Sequence, residues 1–273
     1  MRRLGSTPFA FPDFRGATSR LVLWNLGAYF ALAIGVLFFP AAAGRIGSAL
    51  AFRPDLFMHG ALWQPISYSL IHPPGAIVGT LFELLSLWFL AGFLESLHSD
   101  VWLMGLYGAS VLGTALASVA LYLAGNLVGT DGSPAMLTGC FGGIFGLLVA
   151  IGVLYSDMEF LLFFTIGIKA RYMAMIYGLV AIAMLFGAQR MYAFAELGGA
   201  LAGWLYLRMA PRRGFQMGLS ERWYGLRNGY YRWKRRRAAR KFEVYMRKQG
   251  RTVKFDGNGR QIDDDPEDKK RWN

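Results

Sequence analysis

The chain has one cysteine, Cys140, and three histidines, His59, His72 and His98, in 273 residues. A single cysteine excludes an intrachain disulfide and any cysteine-cluster metal site, and the histidines lack close metal-ligand spacing. No metal or other cofactor is expected. Charge is also scarce: 17% of residues are charged, against 55% hydrophobic. The chain repeatedly reaches the run of about 20 apolar residues that crosses a bilayer, so it reads as an all-α polytopic membrane protein. Acidic residues are the rarer sign, 17 against 29 Lys and Arg, and the excess is local. Residues 208–251 hold fifteen Lys/Arg against Glu221 and Glu243, a net of +13, whereas the whole chain carries +12.

Six spans are expected, at residues 21–39, 77–97, 101–123, 137–155, 172–186 and 192–209. Residues 1–20 carry Arg2, Arg3, Arg15 and Arg20 without a small-residue cleavage site, so they are expected to be a cytosolic segment rather than a signal peptide. Residues 40–75 mix apolar positions with Arg45, Arg53, Asp55, Pro54, Pro65, Pro73 and Pro74, and are expected to form a long, partly embedded loop. Residues 125–136 read as a Gly-rich turn, and 158–168 are apolar but too short to cross, which places them at the interface.

An even number of crossings puts both termini on one side. The side that collects Arg2, Arg3, Arg15, Arg20, Lys169, Arg171 and the basic tail is the cytosolic one, since the other receives only Arg45, Arg53 and Arg190. A plasma (inner) membrane is the expected location. The expected organisation is a cytosolic segment 1–20, a six-span domain 21–209 and a basic cytosolic tail 210–273. In that tail Trp223, Tyr224, Tyr230, Tyr231 and Trp233 precede the run Lys234 to Arg237, and the acidic cluster Asp263 to Asp268 reads as a disordered end. Anchoring to anionic lipid is the expected role; nucleic-acid binding would leave the same electrostatic footprint.

Gly139, Gly142, Gly143 and Gly146 in the fourth span follow the i, i+3, i+4, i+7 spacing of one helix face. Such a face lets a neighbouring backbone approach closely, so this helix is expected to be central and enclosed by others. Gly199 and Gly203 in the sixth span have the same small-xxx-small character. Glu83 and Glu196 are ionisable groups inside spans, where a charge costs about 2.5–3.5 kcal/mol on insertion scales, so each is expected to face inward. Glu95 and Arg190 read as interface-level charges.

Taken together, these stretches resemble the rhomboid intramembrane protease family. Gly139-Cys140-Phe141-Gly142-Gly143-Ile144-Phe145-Gly146 follows the frame of the family's Gly-x-Ser-Gly motif, and Glu196-Leu197-Gly198-Gly199-Ala200-Leu201-Ala202-Gly203 follows its His-x-Gly-Gly-x-x-x-Gly. Trp63, Leu70-Ile71-His72 and Leu81-Phe82-Glu83-Leu84-Leu85 match in outline, so the likeness covers roughly residues 15 to 210. The resemblance implies a six-span rhomboid-like bundle. It also places Phe141 where the family has its nucleophile, Glu196 where it has its base, and Glu83 where it has an Asn that donates to the oxyanion. Phe141 has no polar atom, and an ionised Glu cannot donate. No role carries over to His72. Cys140 is one residue from the serine position, about 100° around the helix, and reads as buried and inert.

The expected function is therefore that of an inactive rhomboid-like protein that binds or stabilises transmembrane clients, with Glu83, Glu196, Phe141 and Cys140 around a polar pocket. The alternatives are a protease with non-standard catalytic residues and a proton or ion pathway through Glu83 and Glu196. The oligomeric state is open.

Overall fold

Small residues decide which helices touch. In the computed structural model, which describes residues 12–128, 136–162, 166–187 and 190–209 and scattered residues between 228 and 262, three helices form the centre: α6 (Asp100–Val128), α7 (Phe141–Leu154) and α9 (Arg190–Met209). Gly113 and Gly198 each lie against an alanine of the opposite helix, Ala202 and Ala117, which brings α6 and α9 together. Gly142 and Gly146 of α7 leave room for Thr114 and Ser110 of α6, and Gly203 of α9 lies against Gly146. Backbone contact of this kind replaces the solvent-driven packing that a bilayer does not provide. The glycine-bearing helix is thus enclosed, as its spacing predicts. Gly139 stands outside it: α7 begins at Phe141, and Gly139 belongs to the preceding turn with φ +89°.

The outer elements follow from α1 (Gly16–Phe38) and α5 (Ile77–Leu97), which pack on each other. Arg15 provides no side-chain cap for α1. The cap comes instead from Glu95 near the end of α5, whose Oε1 and Oε2 accept the N–H groups of Ala17 (2.6 Å) and Thr18 (3.0 Å). Gly16 adopts φ +62°, and a Cβ there would collide with the same carboxylate. Glu95 is therefore a structural acceptor and not simply an interface charge.

Residues 40–75 correct the expectation of a loop. They fold into α2 (Pro40–Leu50), α3 (Pro54–Met58), α4 (Gln64–Ser67) and a 3₁₀ turn, Tyr68–Leu70, with a proline in the first turn of each α-helix. Pro at that position has no N–H to waste and a φ already suited to a helix. Polar side chains tie the segment together: Ser67 Oγ donates to Leu50 O (2.6 Å), Trp63 Nε1 to Ala49 O (3.0 Å) and Tyr68 Oη to Val111 O of α6 (2.9 Å).

Residues 158–168, too short to cross, contribute to a pair of strands, with β1 (Glu159–Leu162) antiparallel to β2 (Ile166–Lys169) before α8 (Ala170–Met184). Among the described residues three helices, Gly16–Phe38, Ile77–Leu97 and Asp100–Leu127, are long and apolar enough to cross a membrane. The helices α7 and α8 have 14 and 15 residues, and α9 has 20 with Arg190, Glu196 and Arg208 within it. At 1.5 Å per residue α7 is about 21 Å long, so it is shorter than the expected span 137–155. The third expected span, by contrast, is longer, and the first begins five residues earlier, at Gly16.

Contacts divide the chain into Met1–Gly214 and Phe215–Asn273. In the second unit, described residues between 228 and 249 are mostly helical, Arg237 stacks over Trp233 at 5.4 Å, and a short β3–β4 pair joins Lys254–Phe255 to Gln261–Ile262. Trp223, Tyr224, Tyr230 and the acidic cluster Asp263 to Asp268 lie outside the described residues.

Two measurements test this fold. A Cβ at Gly203 would stand 2.8 Å from Gly146 Cα and 2.9 Å from Ser110 Oγ, so Gly203→Val is expected to cost at least about 1–3 kcal/mol in detergent unfolding. His98, just past the end of α5, stacks on Trp102 at 3.8 Å with Nε2 2.9 Å from the Tyr155 hydroxyl, and its partial burial lowers its pKa from 6.5. The unfolded chain therefore takes up that proton first. Its contribution to stability is complete above pH 6.5 and is lost as pH falls through 6.5 towards the depressed folded value. The melting temperature should fall over that window, and His98→Gln should flatten the fall.

Candidate functional site at the head of α7

The turn before α7 is fixed from below by the segment that ends in His72. Phe52 and Leu137 exchange backbone hydrogen bonds (3.0 and 2.9 Å), and Gly139 N–H donates to Ile71 O at 2.7 Å. This brings Thr138, Gly139 and Cys140 against α5, where Glu83 points inward and is only 6% exposed. Glu83 Oε1 accepts the N–H of Cys140, the residue that precedes the first turn of α7. A carboxylate is favoured there because the unpaired N–H groups and the helix dipole both present positive charge. Gly139 is required twice over: its φ is +89°, and any Cβ would meet the Glu83 carboxylate.

The other oxygen of Glu83, Oε2, lies 3.4 Å from Nε2 of His72, which is fully buried. His72 Nδ1 is 3.3 Å from the carbonyl oxygen of Leu70. Nε2 makes no hydrogen bond, since the approach to Glu83 lacks the required geometry. Cys140 is fully buried with a free thiol. One ligand atom each from His72, Glu83 and Cys140 falls within 4.8 Å of the others, which makes this trio the group among the described residues that could hold a metal ion. Linear spacing concealed it: the three residues come from a loop, a helix and a helix-preceding turn. The other histidines are elsewhere, His59 exposed beside Asp55 O and His98 beside Tyr155.

Two cavities meet at this point. The more polar one, of about 350 Å³, is lined by Glu83, Thr138, Phe141, Met184, Tyr192 and Glu196, so the two membrane glutamates face one space from α5 and α9. A largely apolar groove of about 390 Å³ runs between α5 and α8 over α7, lined by Phe82, Phe89, Phe145, Leu148, Met173 and Tyr177. Glu83 and Phe141 border both. Phe141, the first residue of α7, is 42% exposed, so its ring stands in the opening and not in the core. Of the residues singled out in sequence, Gly139, Cys140, Phe141, Glu83 and Glu196 converge here, while Gly142, Gly146, Gly199 and Gly203 hold the helices beneath. His72 is the one that sequence reasoning left without a role. The hint was a histidine in an apolar stretch, Leu70-Ile71-His72, with no solvent-facing pattern around it.

A helical bundle with several apolar helices, ionisable groups turned inward and a lateral groove belongs to the class of integral membrane proteins. The chain belongs to the family described as eukaryotic integral membrane protein (DUF1751), whose pattern matches residues 24–216. No curated protein and no solved structure matches it.

Removing the Glu83 side chain leaves the Cys140 N–H buried without an acceptor. Glu83→Ala is expected to lose about 1–3 kcal/mol in thermal or denaturant unfolding. Glu83→Gln keeps an acceptor oxygen and should lose less, and the order of the two variants is the check.

Proposed function

We propose that the membrane domain is a rhomboid-like scaffold that receives transmembrane segments of client proteins and holds them without cleaving them. Its six spans lie in the plasma (inner) membrane with both termini cytosolic, and its basic tail rests on anionic lipid. The observation that carries this reading is the groove between α5 and α8. It is largely apolar, is bordered by the exposed Phe82, and has Phe141 at the point where the rhomboid frame has its nucleophile. A helix laid in such a groove needs packing surfaces, and these the groove has in Phe82, Phe89, Met173 and Tyr177.

The chemistry beside the groove is unsuited to acyl transfer. Phe141 offers no nucleophile, and Glu83 already engages the Cys140 N–H that could otherwise stabilise an oxyanion. A second carboxylate, Glu196, borders the same cavity, so developing negative charge there would be opposed. These groups are better suited to holding polar atoms of a client that unwinds locally, which would otherwise be unsatisfied in lipid.

The test uses full-length protein in vesicles with a photoreactive residue at Phe82 or Met173, and at Phe30 on the exposed side of α1 as control, together with a synthetic single-span peptide. Crosslinks concentrated at 82 and 173, with the peptide intact by mass, are expected. Equal labelling at 30, or cleavage of the peptide, would overturn the reading.

A further inference from the structure

We infer that His72, Glu83 and Cys140 form a binding site for a borderline-soft divalent cation, with zinc the best match. His72 is fully buried. Its Nδ1 lies 3.3 Å from the Leu70 carbonyl oxygen, and a carbonyl can only accept, so the proton is on Nδ1. In the neutral ring this leaves Nε2 a buried acceptor without a hydrogen-bond partner, with Glu83 Oε2 3.4 Å away. Two acceptors then face each other in a space from which solvent is excluded, since His72 is 0% and Glu83 6% exposed. Such an arrangement needs a cation between them, and the ring already has the outward N–H to backbone carbonyl bond that orients metal-bound histidines.

Cys140 makes the cation a metal. Its sulfur lies within 4.8 Å of both other ligand atoms, and nitrogen, oxygen and sulfur together are the donor set of zinc. Ligand atoms of a tetrahedral zinc site lie about 3.3–3.8 Å apart, given bonds of 2.0–2.3 Å. The His72–Glu83 edge, at 3.4 Å, already has this separation, and a shift of about 1 Å at the sulfur completes the face. Glu83 still caps the head of α7 through its other oxygen. Three protein ligands leave one position open, and Glu83 borders the polar cavity from which an ion or an exchangeable fourth ligand can enter. The bound metal would tie the segment after the 3₁₀ turn, α5 and the head of α7 to one point, independently of whether clients bind in the groove.

Full-length protein in detergent, stripped with a chelator, is titrated with Co²⁺. The expected result is one Co²⁺ per chain, with visible bands of tetrahedral coordination and a near-ultraviolet thiolate-to-cobalt band, both bleached by Zn²⁺. Cys140→Ser should lose the near-ultraviolet band. Glu83→Gln, which keeps the helix cap, should weaken Co²⁺ binding by more than about tenfold while the fold persists by circular dichroism. The wild-type spectrum alone decides if a variant fails to fold. Absence of both bands at saturating Co²⁺, or bands unchanged in folded Cys140→Ser, would overturn the inference and leave a proton shared by His72 and Glu83 as the cation.

Discussion

A backbone N–H that is shut away from water has to find an acceptor within the protein, and in this molecule α5 supplies it at two separate places. Glu83 receives the Cys140 N–H at the head of α7, and Glu95, twelve residues along the same helix, receives two N–H groups at the start of α1. Neither α1 nor α7 has a side-chain cap of its own at the preceding residue. In a hydrocarbon surround each unsatisfied group costs several kcal/mol, so the long apolar helix α5 is held in register by polar contacts at two levels. The glycine contacts of α6, α7 and α9 set how close the helices come. The carboxylates set how far each one is slid along its neighbour.

The same constraint ties scaffold and site together. In the proposed rhomboid-like frame, the position of the oxyanion donor is filled by a carboxylate that caps the head of α7. Its second oxygen lies 3.4 Å from a buried imidazole, the pairing on which the inferred cation site rests. Phe141 and Glu83 border both the polar cavity and the apolar groove, so an occupant of either space touches the same two side chains.

Much of the helical frame is legible from residue order because apolar runs and glycine spacing are local properties. The runs 21–39, 77–97, 101–123 and 192–209 each correspond to an observed helix, and the enclosure of α7 follows from Gly142, Gly143 and Gly146. What escapes is whatever depends on partners distant in sequence. Gly139 fits the helix spacing but belongs to a turn, because its φ is dictated by the Glu83 carboxylate and by Ile71 O. Residues 40–75 look like a loop because several of their polar side chains, Trp63, Gln64 and Ser67 among them, satisfy backbone groups of a neighbouring short helix. His72 gave only the hint of a histidine in an apolar stretch, since its meaning lies in Glu83 and Cys140, eleven and sixty-eight residues further on. Glu83 and Glu196 were the readable part of the site: a charge within an apolar run is costly enough to be noticed.

The Glu95 carboxylate lies 78 residues beyond the Ala17 N–H it accepts. During synthesis α1 therefore emerges long before its cap exists, and its first turn has to rely on water or lipid headgroups until α5 is threaded beside it. Insertion of the second long apolar helix is thus also the step that finishes the first. Membrane entry in this protein has a built-in order, with α1 completed only after α5 has arrived.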